Sequence, residues 1–392
     1  MKLSVQECLL HVGQQLLQVS ETGSLDVQVL IAHHLEKTRS WVLAHPETPL
    51  TSAQQNGILN ATARIVHGEP LPYVIGHWEF FGLDFHLTPA VLIPRPETEL
   101  LVERAIIWLR AHPTRRKAID VGTGSGCIGI SLAVNISEIH ILLTDISLEA
   151  LNVAHMNADS HGLLGRLEFI QADLLDGVSG PFDLICANLP YIPTPLVNML
   201  PVGEREPRLA LDGGLNGTAV INRLLEQARK RLAPGGLLLL EIESSQAQAV
   251  TARANADYPT SKVQILKDLA GMDRCLEIER PELFIHICPR GEWMQALQAG
   301  MYQDKSLLQD GFIHCSQPEQ LLDVANRFYR GIPDLVLLSI DPDRLTSKIC
   351  WEPADGTLFP HIYGPINLEA VISVNDFRPE SDGSYHTLHQ PG

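Results

Sequence analysis

The chain has 392 residues, of which 45% are hydrophobic, so it is long enough for two or three domains with sizeable cores. Its formal net charge of −17 comprises −10 over residues 1–282 and −7 over the remainder, and neither part has the basic excess typical of proteins that bind nucleic-acid backbones. Seven scattered cysteines without a Cys-x-x-Cys pair, and no apolar run near about 18 residues, predict a cytoplasmic protein with free thiols, without a bound metal and without membrane association.

Residues 1–74 predict a small helical domain. Apolar residues recur at helical spacing over 3–20, 24–35 and 52–67. A unit of this size has room for little more than a docking surface.

Residues 75–115 predict a connector made of a β-hairpin and a helix. Short alternating segments surround Gly76, Gly82 and Pro89, and a helix then runs from about Glu97 to Arg110. Between them lies the stretch 92–99, which contains two prolines, one cation and two carboxylates. This stretch predicts either a lid over a site or the capped start of a helix with solvated charges.

A glycine-rich loop follows the first strand of the next region. The strand covers 116–121, the loop is Gly122-Thr123-Gly124-Ser125-Gly126, and a helix begins at Cys127. Glycines let the backbone approach a ligand closely, and the start of a helix offers unpaired N–H groups. The pattern predicts a nucleotide-sized ligand here, although the same spacing also satisfies the weak dinucleotide fingerprint.

Two acidic residues follow the next strands along the chain. Asp145 ends a strand predicted over 138–144, about 20 residues beyond the loop, where a carboxylate accepts ribose hydroxyls in nicotinamide and other nucleoside-binding enzymes alike. Asp173 follows a strand over 167–171 and offers an acceptor for an adenine amino group.

The stretch Asn188-Leu189-Pro190-Tyr191 follows an apolar strand predicted over 182–187. The Asn188 side-chain oxygen can accept a hydrogen bond, and the following proline biases Leu189 toward an extended backbone that leaves its carbonyl free. Tyr191 adds a flat ring. Two acceptors and a ring suit a planar –NH2 group of an amide or a nucleobase; the alternative is an ordinary turn after a strand.

The remaining elements up to residue 282 alternate between helices and strands. A helix over 218–232 ends at a Pro-Gly-Gly turn, and strands follow over 237–242, 263–266 and 275–278. Such alternation predicts an α/β fold with a doubly wound, mostly parallel sheet over residues 116–282.

Residues 283–392 predict a separate small α+β domain. Strands are expected over 283–288, 311–316, 335–340, 348–351 and 370–374, with helices over 292–299 and 318–329. The polar tail after Glu380 is expected to be loose.

These motifs together resemble one family over the first 282 residues. The stretches 76–82, 92–99, 120–126, 188–191, 206–214 and 271–274 are similar to those of the peptide chain release factor N5-glutamine methyltransferases. The resemblance implies a Rossmann-like methyltransferase sheet that uses S-adenosyl-L-methionine, N-terminal helices that help to dock class-1 release factors, and the glutamine of the Gly-Gly-Gln tripeptide as substrate.

The resemblance also implies roles for individual residues. Gly122–Gly126 would line the methionine and ribose of the donor, Asp145 would hold the ribose hydroxyls, and Asp173 and Leu174 would flank the adenine. The target amide would be bound by the four residues Asn188, Leu189, Pro190 and Tyr191.

Two residues depart from the family's pattern, and two other functions remain open. Leu189 stands where the family usually has a second proline, and Glu243 stands where a small residue is expected. Asn-Leu-Pro-Tyr is also found in ribosomal RNA adenine dimethyltransferases, so an adenine-N6 RNA methyltransferase is the alternative. An NAD-dependent oxidoreductase would use the same glycine loop, but the sequence offers no convincing proton-transfer pair for it.

Residues 283 to about 380 resemble a small family of unknown function, through the stretches 311–316 and 359–364. The resemblance implies at most a nucleotide-sized cleft, and an interaction module without enzymatic activity is the alternative. A zinc site made of His286, His314, Cys315 and His361 is a further alternative, although the spacing matches no standard finger. Histidines that lie on strands and form hydrogen bonds inside the core are the other expectation for this region. The polar residues expected to converge, if a cleft is present, are His286, His314, Ser316, Glu352, His361 and Tyr363.

Overall fold

The computed structural model describes residues 3–354 and 356–386, and the chain begins with a bundle of short helices. The bundle buries its own apolar core. The first and fourth helices start with capping boxes, at Ser4–Glu7 and Thr51–Gln54, which satisfy the first free N–H groups. The three predicted helices are confirmed: the first and the last are shorter than predicted, and the second begins one residue earlier. Two short helices were not predicted. The five helices are α1 (Val5–Leu16), α2 (Gly23–Leu35), α3 (Arg39–Ala44), α4 (Ser52–Val66) and α5 (Leu71–Ile75).

A hairpin and a helix connect this bundle to the central sheet. Strands β1 (His77–Phe80) and β2 (Leu83–His86) pair antiparallel, and their residues Phe80 and Phe85 are buried against the sheet core. A 3₁₀ turn over Pro96–Thr98 then leads into helix α6 (Glu99–Ala111). The hairpin covers only residues 77–86, so it is shorter than the predicted segment around Gly76, Gly82 and Pro89. The residues just before it form helix α5.

The central sheet has seven strands and is covered by helices on both faces. The strands are β3 (Lys117–Val121), β4 (His140–Asp145), β5 (Leu167–Gln171), β6 (Phe182–Ala187), β7 (Leu232–Glu241), β8 (Lys262–Lys267) and β9 (Asp273–Glu279). The helices are α7 (Cys127–Asn135), α8 (Leu148–Ser160), α9 (Thr194–Val197), α10 (Val202–Arg205), α11 (Ala219–Ala228) and α12 (Ala247–Asp257). The strand order across the sheet is β5-β4-β3-β6-β7-β9-β8. The first five strands in this order are parallel, and β9 runs antiparallel to both of its neighbours. Helices α7 and α8 pack on one face and α11 and α12 on the other, which confirms the doubly wound sheet.

The start of β7 differs from the prediction of a helix to residue 232 followed by a turn. Helix α11 ends at Ala228, and β7 begins at Leu232, which pairs with Phe182. The register between β6 and β7 then shifts before regular pairing resumes at Leu237. A proline and two glycines fit within this irregular stretch because a bulge needs neither regular hydrogen bonds nor ordinary φ angles.

The C-terminal region contains two three-stranded sheets and a two-stranded one, confirming the α+β prediction. The strands are β10 (Phe284–Pro289), β11 (Met301–Tyr302), β12 (Ile313–His314), β13 (Leu335–Ile340), β14 (Lys348–Ala354), β15 (Thr357–Tyr363), β16 (Ile366–Asn367) and β17 (Val371–Phe377). The strand order is β10-β13-β17 in one sheet and β12-β15-β14 in another, and β11 pairs with β16. The helices are α13 (Arg290–Ala299), α14 (Lys305–Gln309) and α15 (Leu321–Phe328).

Part of the C-terminal tail is packed rather than loose. The ring of Tyr385 is buried and stacks on Phe377, and its hydroxyl donates to backbone carbonyls at Tyr329 and Ile332. The tail prediction is therefore wrong for residues 381–386, and residues 387–392 lie outside the described part. No helix among residues 3–354 and 356–386 is long and apolar enough to cross a bilayer.

A buried ion pair joins the C-terminal region to the central sheet. Arg280 follows β9 directly, and its guanidinium donates to both carboxylate oxygens of Asp341 at 2.7 and 2.8 Å and to the carbonyl of Leu232 at 2.6 Å. It also pairs with Asp343. Removing one member of such a pair is costly, because the other charge is left buried without a partner.

We expect Arg280→Met to destabilise the protein by up to about 3–5 kcal/mol, because the Asp341 carboxylate would lose its buried cation and keep only the exposed guanidinium of Arg344. Urea unfolding, followed by tryptophan fluorescence, measures the change. Arg378→Met is the matched control: Arg378 pairs with Asp376 at the surface and should leave the unfolding midpoint unchanged. Equal midpoints for the two variants would contradict a stabilising role of the Arg280 pair.

Candidate active site

One cavity lies at the carboxyl edge of the parallel strands, where β3, β4 and β6 end side by side. Ligands of open α/β sheets bind at this edge. The cavity has a volume of about 430 Å³. Among its lining residues are Thr98, Gly122, Thr123, Gly124, Ser125, Asp145, Asp173, Leu174, Asn188, Leu189 and Pro190.

The glycine loop forms one wall and touches the Asn188 loop. The backbone N–H groups of Gly122 and Thr123 both donate to the carbonyl of Thr144, at 2.8 and 2.9 Å, which folds the loop back onto β4. Gly122 has a φ of 71°, and a Cβ there would lie 2.9 Å from Cδ2 of Leu189. A Cβ on Gly124 would instead meet open space. Glycine is therefore required for close approach at Gly122, whereas Gly124 leaves room for a ligand.

Two carboxylates hold this loop in shape. Asp145 accepts from the N–H groups of Gly124 and Ser147, both at 2.9 Å, and burial raises the pKa of its carboxyl. Asp120 lies behind the loop, where its Oδ2 accepts from the Thr123 hydroxyl at 2.6 Å. Burial raises the pKa of Asp120 to about 6. Asp145 thus both shapes the loop and lines the cavity.

Asn188 is held by its amide nitrogen. Nδ2 donates to Oγ1 of Thr98 at 2.9 Å, and the Thr98 hydroxyl donates to Oε2 of Glu241 at 2.6 Å. Among residues 3–354 and 356–386, neither Oδ1 of Asn188 nor the carbonyl of Leu189 receives a hydrogen bond. Two acceptors on neighbouring residues that line the cavity are therefore without a partner in this part of the chain.

Leu189 and Glu243 fit the structure without strain. The Leu189 side chain is buried against Gly122. Glu243 has an ordinary extended backbone, with φ −79° and ψ 139°, and its side chain caps the turn that follows by accepting from Ser245. The backbone at Glu243 is thus unaffected by the departure from the family's pattern.

Gly126 and Tyr191 do not line the cavity, although both were predicted as site residues. The phenol of Tyr191 turns toward Glu241, to whose Oε1 it donates at 3.3 Å, and its carbonyl accepts from Gln246 at 2.7 Å. Gly126 serves the packing of α7 on α8, since a Cβ there would lie 3.2 Å from the Cβ of Ala154. The ring of Tyr191 thus supports the site from behind instead of offering a wall for stacking.

Thr98 and Glu241 were not predicted as site residues. Thr98 was interpreted only as part of the stretch 92–99 that leads into a helix, and Glu241 only as part of the strand predicted over 237–242. Glu241 is 1% exposed, and burial raises its pKa to about 7. A carboxylate that ends the strand beside β6 was the available signal, because neighbouring parallel strands end at the same edge.

The stretch 92–99 forms part of the cavity wall, which favours the lid over the solvated helix start. Leu92, Pro94 and Thr98 line the cavity. The buried carboxylate of Glu206 accepts from the N–H of Ile93 at 3.1 Å and pairs with Arg95. The Glu206 segment thereby fastens this stretch over the site.

Asp173 forms an ion pair with Arg223, with 2.7 Å between its Oδ2 and Nη2 of the arginine. Both side chains line the cavity and remain about half exposed. Asp173 thus lies where the sequence predicts an acceptor, with one of its oxygens already occupied.

In the C-terminal region, four of the six predicted polar residues converge on the outer face of the β12-β15-β14 sheet. Glu352 accepts from Nδ1 of His361 at 2.6 Å and from the hydroxyl of Tyr363 at 2.8 Å. The ring of His314 meets the ring of His361 edge-on, with 5.2 Å between centroids. These side chains form one polar and aromatic cluster on a sheet face.

The other two predicted residues of this region lie elsewhere. His286 is buried, where its Nδ1 donates to the carbonyl of His314 at 2.7 Å, and burial lowers its pKa. Ser316 is also buried and bridges to Ile285. Cys315 points into the core, away from the cluster. In the described part of the chain, no three His, Cys, Asp or Glu side chains are arranged to hold a metal ion.

Three family models match the chain. The PrmC N-terminal domain matches residues 8–76, the Methyltransferase small domain matches residues 97–196, and a Protein of unknown function (DUF952) matches residues 287–374.

Proteins named release factor glutamine methyltransferase are similar to most of the chain. The one from Moorella thermoacetica is 44% identical over 265 residues, which are 67% of this chain and 93% of the relative. The one from Bradyrhizobium diazoefficiens is 37% identical over 264 residues, which are 66% and 89% of the two chains. Among solved structures, protein CC0527 from Caulobacter crescentus is 34% identical with a TM-score of 0.26, and the match covers 26% of this chain and 93% of that one. The chain therefore belongs to the release factor glutamine methyltransferase family.

Proposed function

We propose that the chain transfers a methyl group from S-adenosyl-L-methionine to the side-chain nitrogen (N5) of the glutamine in the Gly-Gly-Gln motif of class-1 peptide chain release factors. The observation that carries the proposal is the pair of free acceptors, Asn188 Oδ1 and the Leu189 carbonyl, beside the glycine loop. The names of the relatives support the choice of a glutamine in a release factor.

The chemistry of an amide explains why two acceptors matter. The lone pair of an amide nitrogen is delocalised into the carbonyl, so this nitrogen is a weak nucleophile. Two acceptors that each take one N–H fix the plane of the –NH2 group and favour the positive charge that develops on it. Asn188 and Leu189 would supply these acceptors, and Pro190 keeps the Leu189 carbonyl turned outward.

The cavity fits the methyl donor. Its volume of about 430 Å³ is within the range of small-molecule sites. When bound, the donor supplies a methyl group on positively charged sulfur. We assign the residues Gly122, Thr123, Gly124 and Ser125 to its methionine and ribose, Asp145 to the ribose hydroxyls, and Asp173 and Leu174 to the adenine. Gly126 would act only through the packing of the helix that follows the loop.

We propose the same division of the chain as the sequence predicts. Residues 1–74 would dock the release factor, and residues 75–115 would connect this helical domain to the central sheet. Residues 116–282 would carry out the methyl transfer. Residues 283–392 would form a separate module around the Glu352, His361 and Tyr363 cluster.

Asn188→Ala should lower kcat/KM for methyl transfer to a purified release factor by about 100-fold or more, because one of the two acceptors is lost. Labelled S-adenosylmethionine and mapping of the labelled residue measure the effect. Asn152→Ala, on the exposed face of α8, is the matched control and should transfer at the normal rate. Label on RNA adenine instead of the tripeptide glutamine would overturn the proposed substrate.

Asp145→Ala should weaken binding of S-adenosylhomocysteine about 10- to 100-fold, because the ribose hydroxyls lose a charged acceptor and the loop loses its bond to Gly124. Isothermal calorimetry measures the affinity, with Asp159→Ala on the exposed end of α8 as the control. Wild-type affinity for NAD without affinity for S-adenosylhomocysteine would instead indicate an oxidoreductase.

A further inference from the structure

We propose that Thr98 and Glu241 are positioning residues that decide which end of the Asn188 amide faces the methyl acceptor. The inference rests on the proposed function, because only the oxygen end of Asn188 can accept a hydrogen bond from a substrate N–H. A rotated amide would present its own –NH2 to the substrate –NH2, and two donors repel one another.

The direction of each hydrogen bond follows from the carboxylate. An ionised Glu241 can only accept, so the Thr98 hydroxyl must donate its single proton to it, across 2.6 Å. The remaining lone pairs of the Thr98 oxygen can then only accept, and they take Nδ2 of Asn188 at 2.9 Å. The ionised carboxylate thereby fixes the orientation of an amide that it does not touch.

The surroundings of Glu241 are suited to this task. Tyr191 donates to its other oxygen, so each carboxylate oxygen is matched with a donor. Arg274 on β9 favours the ionised form, whereas burial and the nearby carboxylate of Glu97 oppose it. Glu241 also acts on the thiols of Cys127 and Cys275, and burial keeps both thiols protonated by raising their pKa.

Protonation of Glu241 would release the amide. A carboxyl O–H can donate to Thr98, whose own proton is then free to bond Oδ1 of a rotated Asn188. That bond consumes the acceptor which the substrate needs. Burial raises the pKa of Glu241 to about 7, so transfer should weaken as the pH falls below neutrality, since the active arrangement needs the ionised form.

The first test compares Thr98→Val with Thr98→Ser. Valine keeps the shape but removes the hydroxyl, and kcat should fall about 10- to 100-fold, while the affinity for S-adenosylhomocysteine and the KM for the release factor change less than about threefold. Serine restores the hydroxyl and should recover most of the rate. The control is Thr62→Val, which removes a buried hydroxyl that donates to the Ile58 carbonyl of its own helix. The kcat of this variant should equal that of the wild type. Equal rates for Thr98→Val and Thr98→Ser would overturn the proposal.

The second test needs no methyl acceptor and so separates this inference from the proposed function. In isotope-labelled protein, the side-chain amide signals of Asn188 are assigned by their loss in Asn188→Ala. They should shift with pH around neutrality in the wild type and stay constant in Glu241→Gln, whose side chain does not titrate. If the Asn188 signals shifted with pH in Glu241→Gln as they do in the wild type, or did not shift in the wild type, the coupling between Glu241 and the Asn188 amide would be refuted. This outcome does not depend on which substrate the enzyme methylates.

Discussion

The close contact between Gly122 and Leu189 is the constraint on which the site depends. Parallel pairing of β3 with β6, through Val121 and Ala187, brings the two loops to one edge of the sheet. Gly122 has a φ of 71°, and a Cβ there would lie 2.9 Å from the Leu189 side chain, so any other residue would strain the backbone and displace Leu189. The glycine loop and the Asn188 loop, which the proposed function assigns to the methyl donor and the methyl acceptor, are therefore adjacent because two neighbouring strands end together.

The polar layer behind these loops comes from a single helix and two strands. Thr98 at the start of α6 meets Glu241 on β7, and Arg104 within the same helix pairs with the buried Glu277 on β9. A buried carboxylate is costly unless donors surround it, and here each one is matched with a donor from this helix. The pairing of Arg104 fixes α6 on the sheet, which in turn fixes where Thr98 meets Asn188.

Local sequence patterns predicted the strands but not the contacts between them. The bounds of β5 and β6 were correct because each is a short run of strand-forming residues with turn signals on both sides. The start of β7 was missed because the residues Pro234–Gly236 indicate a turn, although they form an irregular stretch of the strand between the paired residues Leu232 and Leu237. The hydrogen bonds of Thr98 join residues 90 and 143 positions away, and no periodicity encodes such a partnership. Helices α3 and α5 are too short for a helical period to show.

The direction of β9 explains how a methyltransferase carries a further module after its last strand. Cys275 pairs with Glu241 at the carboxyl edge of the parallel strands, whereas Glu279 pairs with Leu237 toward the opposite edge. Because β9 runs antiparallel to β7 and ends four residues beyond Cys275, the chain leaves the sheet roughly 13 Å from the level of Glu241, at about 3.3 Å per residue. Arg280 anchors the C-terminal module at that far edge, through its bonds to Asp341 and the Leu232 carbonyl. The module is thus held firmly to the sheet while the carboxyl edge, where the cavity opens, stays clear of the anchoring contact.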